Sequence, residues 1–239
     1  DDCQALVKSA FMDKELNAAM QLTSANSINV ARFLPQAFYY FYAYAQLKMI
    51  SEEAAANMVI CVPSGNLGNL TAGLIAKRMG LPVKRFIAAN NRNDIFLEYL
   101  TTGSYNPRAS VSTIANAMDV GNPSNFARIL NLYNHSHEAV KSEISGFSYT
   151  DDEIAATMRS CRQQTGYLLD PHGACGYQAL QDGLQEGEYG VFFETAHPAK
   201  FVETVSSVLN ESVELPEKLQ EFMKGVKQSV QLSADFSAF

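Results

Sequence analysis

The sequence predicts an α/β fold in which a mostly parallel sheet is flanked by helices, giving three layers. Short apolar runs at residues 58–62 and 83–88 have the length of buried strands, and helical patterns follow them at 69–79 and 93–100. Strands that alternate with helices over short connections are typical of a parallel sheet, because each helix returns the chain to the edge where the next strand begins. A further apolar run at 191–194 predicts a last buried strand.

Residues with specific capping roles mark the ends of several helices. Gly80 ends the helix that begins at residue 69, and the capping box at 150–153 opens another helix. Asn26 or Ser27 is a good N-cap for a helical pattern that follows, in which Pro35 predicts a kink or a local break. The run 101–125 is rich in Gly, Ser, Asn and Pro, and it predicts a long functional loop.

The composition excludes several classes of protein. The chain has 239 residues, of which 47% are hydrophobic and 18% are charged, an ordinary globular composition. A net charge of −7 argues against a broad nucleic-acid or anionic-membrane surface, but it allows a local basic pocket for one anionic metabolite. The 4 cysteines form no C-x-x-C pair, so we expect neither a disulfide framework nor a metal site. A protein without disulfides fits a reducing compartment, and we therefore expect a cytoplasmic location. No apolar run has the length needed to span a bilayer.

The segment Pro63-Ser64-Gly65-Asn66-Leu67-Gly68-Asn69 carries most of the chemical information. It joins a strand to the start of a helix, where backbone N–H groups and the helix dipole favour an anion such as phosphate. Its glycine spacing differs from G-x-G-x-x-G, and no Gly-Lys-Ser/Thr follows. Ser and Asn side chains add hydrogen bonds without positive charge, which suits a tightly held cofactor phosphate. A purely structural turn explains the same residues, because Gly and Asn tolerate left-handed backbone.

Seven segments, in order along nearly the whole chain, carry a family resemblance. They are Asp1-Asp2-Cys3-Gln4, Asn26-Ser27-Ile28-Asn29-Val30-Ala31-Arg32, the loop 63–69, Asn91-Arg92-Asn93-Asp94-Ile95, Ala117-Met118-Asp119-Val120-Gly121-Asn122-Pro123-Ser124-Asn125-Phe126, Asp170-Pro171-His172-Gly173-Ala174, and Glu194-Thr195-Ala196-His197-Pro198-Ala199-Lys200-Phe201. Together they resemble the threonine synthase family, fold-type II pyridoxal-phosphate enzymes with the tryptophan-synthase-β-like fold. Asn69 stands where the commoner family form has Asp, a conservative change.

The resemblance implies a carbon–oxygen lyase acting on phosphates, which converts O-phospho-L-homoserine and water into L-threonine and phosphate with pyridoxal 5'-phosphate as cofactor. It assigns two groups of residues. Cofactor binding falls to Ser64, Gly65, Asn66, Leu67, Gly68, Asn69 and Thr195, with the Thr195 hydroxyl on the pyridine nitrogen. Substrate binding falls to Asn26, Ser27, Asn29 and Arg32, with the Arg32 guanidinium on a phosphate or carboxylate. The competing structural interpretations are a solvated Arg32 and helix-capping roles for Asn26, Ser27 and Thr195.

The resemblance also implies that no catalytic residue lies in this chain, since the family's Schiff-base lysine is expected upstream of Asp1. Lys200 is expected to face solvent. The absence of an initiator Met, with a helical stripe starting at once, leads us to expect a fragment that is inactive alone and prone to self-association through uncovered apolar surface. Residues 1–25 would be the remnant of an N-terminal or small domain, and 26–239 the large cofactor-binding domain. His172 and His197 lie beside strand ends and receive no role.

Two other functions stay open on the sequence alone. One is another lyase of the same fold, such as a threonine dehydratase-like enzyme, although segment 118–126 speaks against it. The other is a non-catalytic, truncated paralogue that binds a phosphorylated metabolite. No nucleic-acid or membrane partner is expected for any of these.

Overall fold

The computed structural model describes residues 2–226 and 228–238, and the chain divides into two compact units. One unit joins Asp1–Ala25 with Leu215–Phe239, and the other is Asn26–Glu214. The expected boundary after residue 25 coincides with this division, whereas the C-terminal residues group with the N-terminal ones and not with the larger unit. The assignment of these units to a small domain and a cofactor-binding domain stays a prediction.

A parallel four-stranded sheet forms the centre of the larger unit, with the strand order β3-β2-β1-β4. The strands are β1 (Met58–Pro63), β2 (Arg85–Asn90), β3 (Ile144–Ser148) and β4 (Tyr189–Phe192). The predicted α/β class and the parallel sheet are therefore confirmed. The runs at 58–62 and 83–88 correspond to β1 and β2, with β2 beginning two residues later than expected.

Helices cover both faces of this sheet. The helices of the larger unit are α3 (Val30–Phe33), α4 (Ala37–Ile50), α5 (Glu52–Ala56), α6 (Gly68–Arg78), α7 (Ile95–Thr102), α8 (Phe126–Leu132), α9 (His137–Glu143), α10 (Asp151–Thr165), α11 (Pro171–Gly183) and α12 (Val202–Leu209), with 3-10 turns at Leu34–Gln36, Asn116–Met118 and Pro198–Phe201. The smaller unit contains α1 (Asp2–Met12), α2 (Lys14–Ala19), α13 (Glu217–Met223) and a 3-10 turn at Phe236–Ala238. No helix in the described part of the chain is both long and apolar enough to cross a membrane.

The pleat of β1 divides the core into two clusters. Met58 and Ile60 pack into one apolar cluster with residues of α4, α6 and α7, while Val59 and Cys61 pack into a second with residues of α10 and α11. Alternate strand residues point to opposite faces, so a strand buried on both faces is apolar throughout. This arrangement gives the three layers that the sequence predicts.

Two local expectations about helix starts and strands are corrected. The helix after residue 26 begins at Val30 and is capped by Asn29, whose side chain accepts a hydrogen bond from the Ala31 N–H at 3.0 Å. Ser27, proposed as a cap, instead forms a hydrogen bond with Asn66. The last strand ends at Phe192, before Thr195, and is only partly buried, because it pairs with β1 alone among the described strands.

Other boundary signals are confirmed. Pro35 lies in the 3-10 turn that separates α3 from α4, as the predicted break requires. Thr150 and Glu153 form both hydrogen bonds of a capping box at the start of α10. The sequence analysis did not predict β3, α9 or α11.

Close contact between α4 and α6 sets the position of the loop after β1. Tyr40 of α4 is fully buried, and its hydroxyl donates a hydrogen bond to the Asn69 carbonyl oxygen at 2.6 Å. A Cβ atom on Gly73 of α6 would lie 2.4 Å from the Tyr40 ring, so only glycine fits there. The helix that begins at the loop is thereby held against the aromatic face of α4.

Candidate functional site

The loop after β1 presents backbone N–H groups to a cavity. Leu67 is fully buried and has a left-handed φ of 59°, which turns the chain sharply into α6. The N–H groups of residues 65–69 make no hydrogen bond to the described part of the chain. They lie at the positive end of an 11-residue helix, which favours a bound anion.

Side chains within the loop hold its two ends together. The Ser64 hydroxyl donates to Asn69 Oδ1 at 2.6 Å, and Asn69 Nδ2 donates to the Pro63 carbonyl oxygen at 2.8 Å. Asn69 Oδ1 also accepts a hydrogen bond from the Leu70 N–H at 2.9 Å. Ser64 is buried beneath the loop, so its hydroxyl acts on Asn69 in this structure.

The two loop glycines are required by their neighbours. A Cβ atom on Gly65 would lie 2.7 Å from Met118 Cα, and one on Gly68 would lie 2.8 Å from Ser27 Cβ. Both distances are too short for any real Cβ contact. The loop is therefore covered by the Met118 backbone on one side and by the Ser27 side chain on the other, and no larger residue fits at either glycine unless these neighbours move.

Asn66 joins the loop to two distant segments. Its Nδ2 donates to Ser27 Oγ at 2.8 Å, and its Oδ1 accepts from the Ser124 N–H at 2.6 Å. Asn125 Nδ2 donates to the Asn66 carbonyl oxygen at 3.0 Å. The fold thus brings the Asn-Ser segment at residues 26–27 against the loop, although 39 positions separate Ser27 from Asn66 in sequence.

A cavity of about 630 Å³ opens beside the loop. Seven residues predicted to bind cofactor or substrate line it: Ser27, Gly65, Asn66, Leu67, Gly68, Asn69 and Thr195. Three other predicted substrate residues lie near by but do not line it. Asn26 Oδ1 accepts from Ser27 Oγ at 3.1 Å, Asn29 caps α3, and Arg32 is exposed on α3.

The cavity also contains residues to which the sequence assigned no role. The others that line it are Gln36, Tyr39, Pro63, Ala117, Met118, His172, Phe193, Glu194, Ala196, Lys200 and Phe201. Lys200 is exposed, as expected, yet it lines this cavity as well. The motif segments at 170–174 and 194–201 contained His172 and Glu194, but their sequence gave no sign that they meet.

His172 and Asp170 form a buried pair at the start of α11. His172 Nδ1 donates to Asp170 Oδ1 at 2.6 Å, and His172 Nε2 accepts from the Ala117 N–H at 3.1 Å. The second contact fixes the ring proton on Nδ1, because Nε2 serves as the acceptor. Burial by itself raises the pKa of Asp170, but the hydrogen bonds from His172 outweigh it and lower that pKa.

His197 has a structural role. Its Nδ1 accepts a hydrogen bond from the Ala199 N–H at 3.1 Å and so caps the turn Pro198–Phe201. The capping role that we considered for Thr195 thus belongs to His197. Thr195 is exposed to the cavity.

Comparison with known proteins identifies the family. The family model described as "Pyridoxal-phosphate dependent enzyme" matches residues 1–193, well over half of the chain. The chain belongs to this family. A second family model, described as "Threonine synthase, C-terminal", matches residues 173–239 of the chain.

Three of the similar proteins are threonine synthases. That of Serratia marcescens is 51% identical over 219 residues, which cover 92% of this chain and 50% of the relative. The crystal structure of threonine synthase from Escherichia coli superposes with a TM-score of 0.92 at 47% identity, covering 100% of this chain and 54% of that one. PLP-bound threonine synthase from Brucella melitensis superposes with a TM-score of 0.86 at 35% identity, covering 99% and 55%. The chain spans about half the length of the curated relatives it matches.

Proposed function

We propose that the protein carrying this sequence is a threonine synthase, which uses pyridoxal 5'-phosphate to convert O-phospho-L-homoserine and water into L-threonine and phosphate. The observation that carries the proposal is the loop at residues 65–69, whose unpaired N–H groups open onto the cavity. The 51% identity of the chain to a threonine synthase supports the same function. The reaction class is that of a carbon–oxygen lyase acting on phosphates.

The loop fits the phosphate of the cofactor. Gly65, Asn66, Leu67, Gly68 and Asn69 would bind it through backbone N–H groups at the N-terminus of α6. Ser64 supports them by orienting the Asn69 side chain. No Lys or Arg lies in the loop, so the N–H groups and the helix dipole would supply the stabilisation.

Thr195 would meet the opposite end of the cofactor. Its hydroxyl is a neutral hydrogen-bond partner for the pyridine nitrogen, and it lines the same cavity as the loop. When bound, the cofactor supplies an electron sink that stabilises negative charge on substrate carbon. The aromatic side chains of Tyr39, Phe193 and Phe201 line the cavity and would exclude water from it.

The substrate would bind at the Asn-Ser side of the cavity. Ser27 lines the cavity next to Asn66, and Asn26 is hydrogen-bonded to Ser27. Arg32 and Asn29 belong to the same segment and would serve the phosphate or carboxylate of O-phospho-L-homoserine. The catalytic lysine is assigned to no residue of this chain.

The test is turnover of O-phospho-L-homoserine by the full-length protein loaded with pyridoxal phosphate. We expect phosphate and L-threonine to form in equal amounts, and L-threonine itself to give no 2-oxo acid. Thr195→Ser should retain most activity, whereas Thr195→Val should lose it, because valine has no hydroxyl. Ser207→Ala, an exposed change on α12, is the matched control. Deamination of threonine without use of O-phospho-L-homoserine would contradict the proposal.

A further inference from the structure

Two carboxyl groups meet at the wall of the cavity, outside the loop at residues 65–69 (the phosphate loop). Glu194 lies just after β4 and lines the cavity, and Asp170 lies just before α11 and is fully buried. The Asp170 N–H donates to Glu194 Oε1 at 3.1 Å, which places the Glu194 carboxyl beside Asp170. Each of the two carboxyl groups shifts the pKa of the other. Glu194 Oε2 and Asp170 Oδ2 are both buried without a hydrogen-bond donor from the described residues.

One shared proton would satisfy both of these oxygens. Two ionised carboxylates in a buried contact would repel each other, whereas a carboxylic acid donates to its ionised neighbour. Asp170 is the ionised member, because its Oδ1 accepts from the His172 N–H at 2.6 Å and from His172 Nδ1 at 2.6 Å. Among the described residues, the Asp170 N–H is the one donor to the Glu194 carboxyl, which favours placing the proton on Glu194.

The charges around Glu194 agree with this assignment. Burial, with the negative charge of Asp170 beside it, raises the pKa of Glu194 to about 8. Tyr167 and Cys175 also face the pair, and their pKa values are raised first by burial and then by the neighbouring carboxyl groups. The one cation that lines the same cavity among the described residues is Lys200, which is exposed.

The pair is built into the packing of the helix start. A Cβ atom on Gly173 would lie 2.3 Å from Glu194 Oε2, so glycine leaves the space that the Glu194 carboxyl occupies. On the other side, the His172 ring packs against Phe201 with 4.6 Å between ring centroids. The Glu194 carboxyl is therefore held against the start of α11.

We propose that Glu194 and Asp170 share one proton and act as a positioning pair for the cavity. The pair holds Thr195 on one wall and, through His172, the turn Asn116–Met118 on another. Glu194 is the direct neighbour of Thr195 in sequence. His172 accepts from Ala117, and Met118 covers Gly65 of the phosphate loop. The role of Thr195 toward the cofactor rests on the proposed function, but proton sharing does not.

Carboxyl-carbon NMR of the full-length protein labelled with [13C]glutamate tests the proton directly. We expect one glutamate resonance with the shift of a protonated acid at pH 7, titrating near pH 8 and absent in Glu194→Gln. Glu203→Gln, an exposed change on α12, should leave that resonance in place. A Glu194 resonance that titrates below pH 6 would overturn the proposal.

Affinity for pyridoxal phosphate, measured by visible absorbance, tests the positioning role. The affinity of the wild-type protein should fall several-fold as Glu194 ionises between pH 7 and 9. Glu194→Gln should abolish this pH-dependent loss of affinity, because glutamine donates a hydrogen bond to Asp170 at every pH. Glu194→Ala should bind weakly throughout, and rescue by Gln separates positioning from simple loss of fold. Equal pH dependence in wild type and Glu194→Gln would overturn the role. Normal titration and binding with no turnover of O-phospho-L-homoserine would reject only the proposed function.

Discussion

Gly65 is the residue whose side-chain size matters most for the loop. Its Cα faces the backbone of Met118, which cannot move aside as the tip of a side chain could. We predict that Gly65→Ala displaces the loop from the turn Asn116–Met118 and costs about 1–3 kcal/mol of stability. Pyridoxal phosphate should bind at least about tenfold more weakly, equivalent to about 1.4 kcal/mol. Thermal unfolding and cofactor titration measure the two effects.

Gly187→Ala is the matched control for this prediction. Gly187 has a φ of +77°, so alanine is strained there, but no atom of the described residues lies within 4 Å of the new Cβ. The substitution should cost about 1 kcal/mol of stability and leave cofactor affinity unchanged. Equal cofactor affinity in Gly65→Ala and wild type would contradict a phosphate role for the loop.

Arg32 provides a second prediction at the residue scale. We predict that Arg32→Ala in the full-length protein lowers kcat/KM for O-phospho-L-homoserine by a factor equivalent to about 2–4 kcal/mol, because one charge-assisted contact to the substrate is lost. Affinity for pyridoxal phosphate should not change. Steady-state kinetics and cofactor titration together test this.

An exposed arginine elsewhere gives the comparison for Arg32. Arg159 on α10 makes one long contact, to the Val208 carbonyl oxygen at 3.5 Å. Arg159→Ala should leave kcat/KM within a factor of two of wild type. If Arg32→Ala behaved the same way, Arg32 would be a solvated surface residue.

At the scale of elements, an ion pair ties β2 to the turn before β4. Arg85 donates to both Glu188 carboxylate oxygens, at 3.0 and 2.5 Å, and Glu188 is buried. The hydrogen bonds from Arg85 lower the pKa of Glu188 from 4.5 to about 2. Because the folded pKa is depressed, the stabilisation is present above pH 4.5 and is lost as the pH falls toward about 2.

We predict that Glu188→Gln costs about 3 kcal/mol near pH 7 and removes this part of the acid dependence. Chemical denaturation at pH 7, 4.5 and 3 measures the free energy of unfolding of both proteins. Glu186→Gln, an exposed neutralisation two residues away, should behave as wild type at each pH. Parallel loss of stability in wild type and Glu188→Gln between pH 4.5 and 3 would show that the pair is not the cause.

For the molecule as a whole, we predict that the 239-residue polypeptide alone neither turns over O-phospho-L-homoserine nor retains pyridoxal phosphate through dialysis. The family resemblance assigns the Schiff-base lysine to none of the lysines in this polypeptide. Exposed apolar side chains such as Phe38, Tyr42 and Ile50 on α4 favour self-association of the isolated chain. Dialysis followed by absorbance, and sedimentation for the association state, are the measurements.

Lys200 is the lysine to test against that prediction, because it lines the cavity in which the cofactor would bind. Borohydride reduction in the presence of pyridoxal phosphate, followed by peptide mapping, should label no lysine stoichiometrically. Lys77, which forms an ion pair with Glu143, is the reference for background labelling. Specific labelling of Lys200 would place a covalent cofactor site in this chain.

The sequence by itself determined the class of fold and the position of the loop between β1 and α6, because both depend on local patterns. Apolar runs of strand length, helix caps and glycine spacing are properties of neighbouring residues, and they predicted β1, α6, the break at Pro35 and the capping box of α10. Boundaries shifted by about two residues at β2 and β4, where sheet pairing and not local preference sets the ends. The strand β3 was missed because its Ser and Gly residues weaken the apolar pattern.

Only the tertiary structure decided which distant groups meet. The contact of Ser27 with Asn66, the cover of Met118 on Gly65 and the meeting of Asp170 with Glu194 each join segments far apart in sequence. No periodicity encodes such contacts, since they arise where the ends of parallel strands converge at one edge of the sheet. The proton that we propose for Glu194 also depends on that meeting, because burial and a neighbouring negative charge oppose ionisation of its carboxyl group.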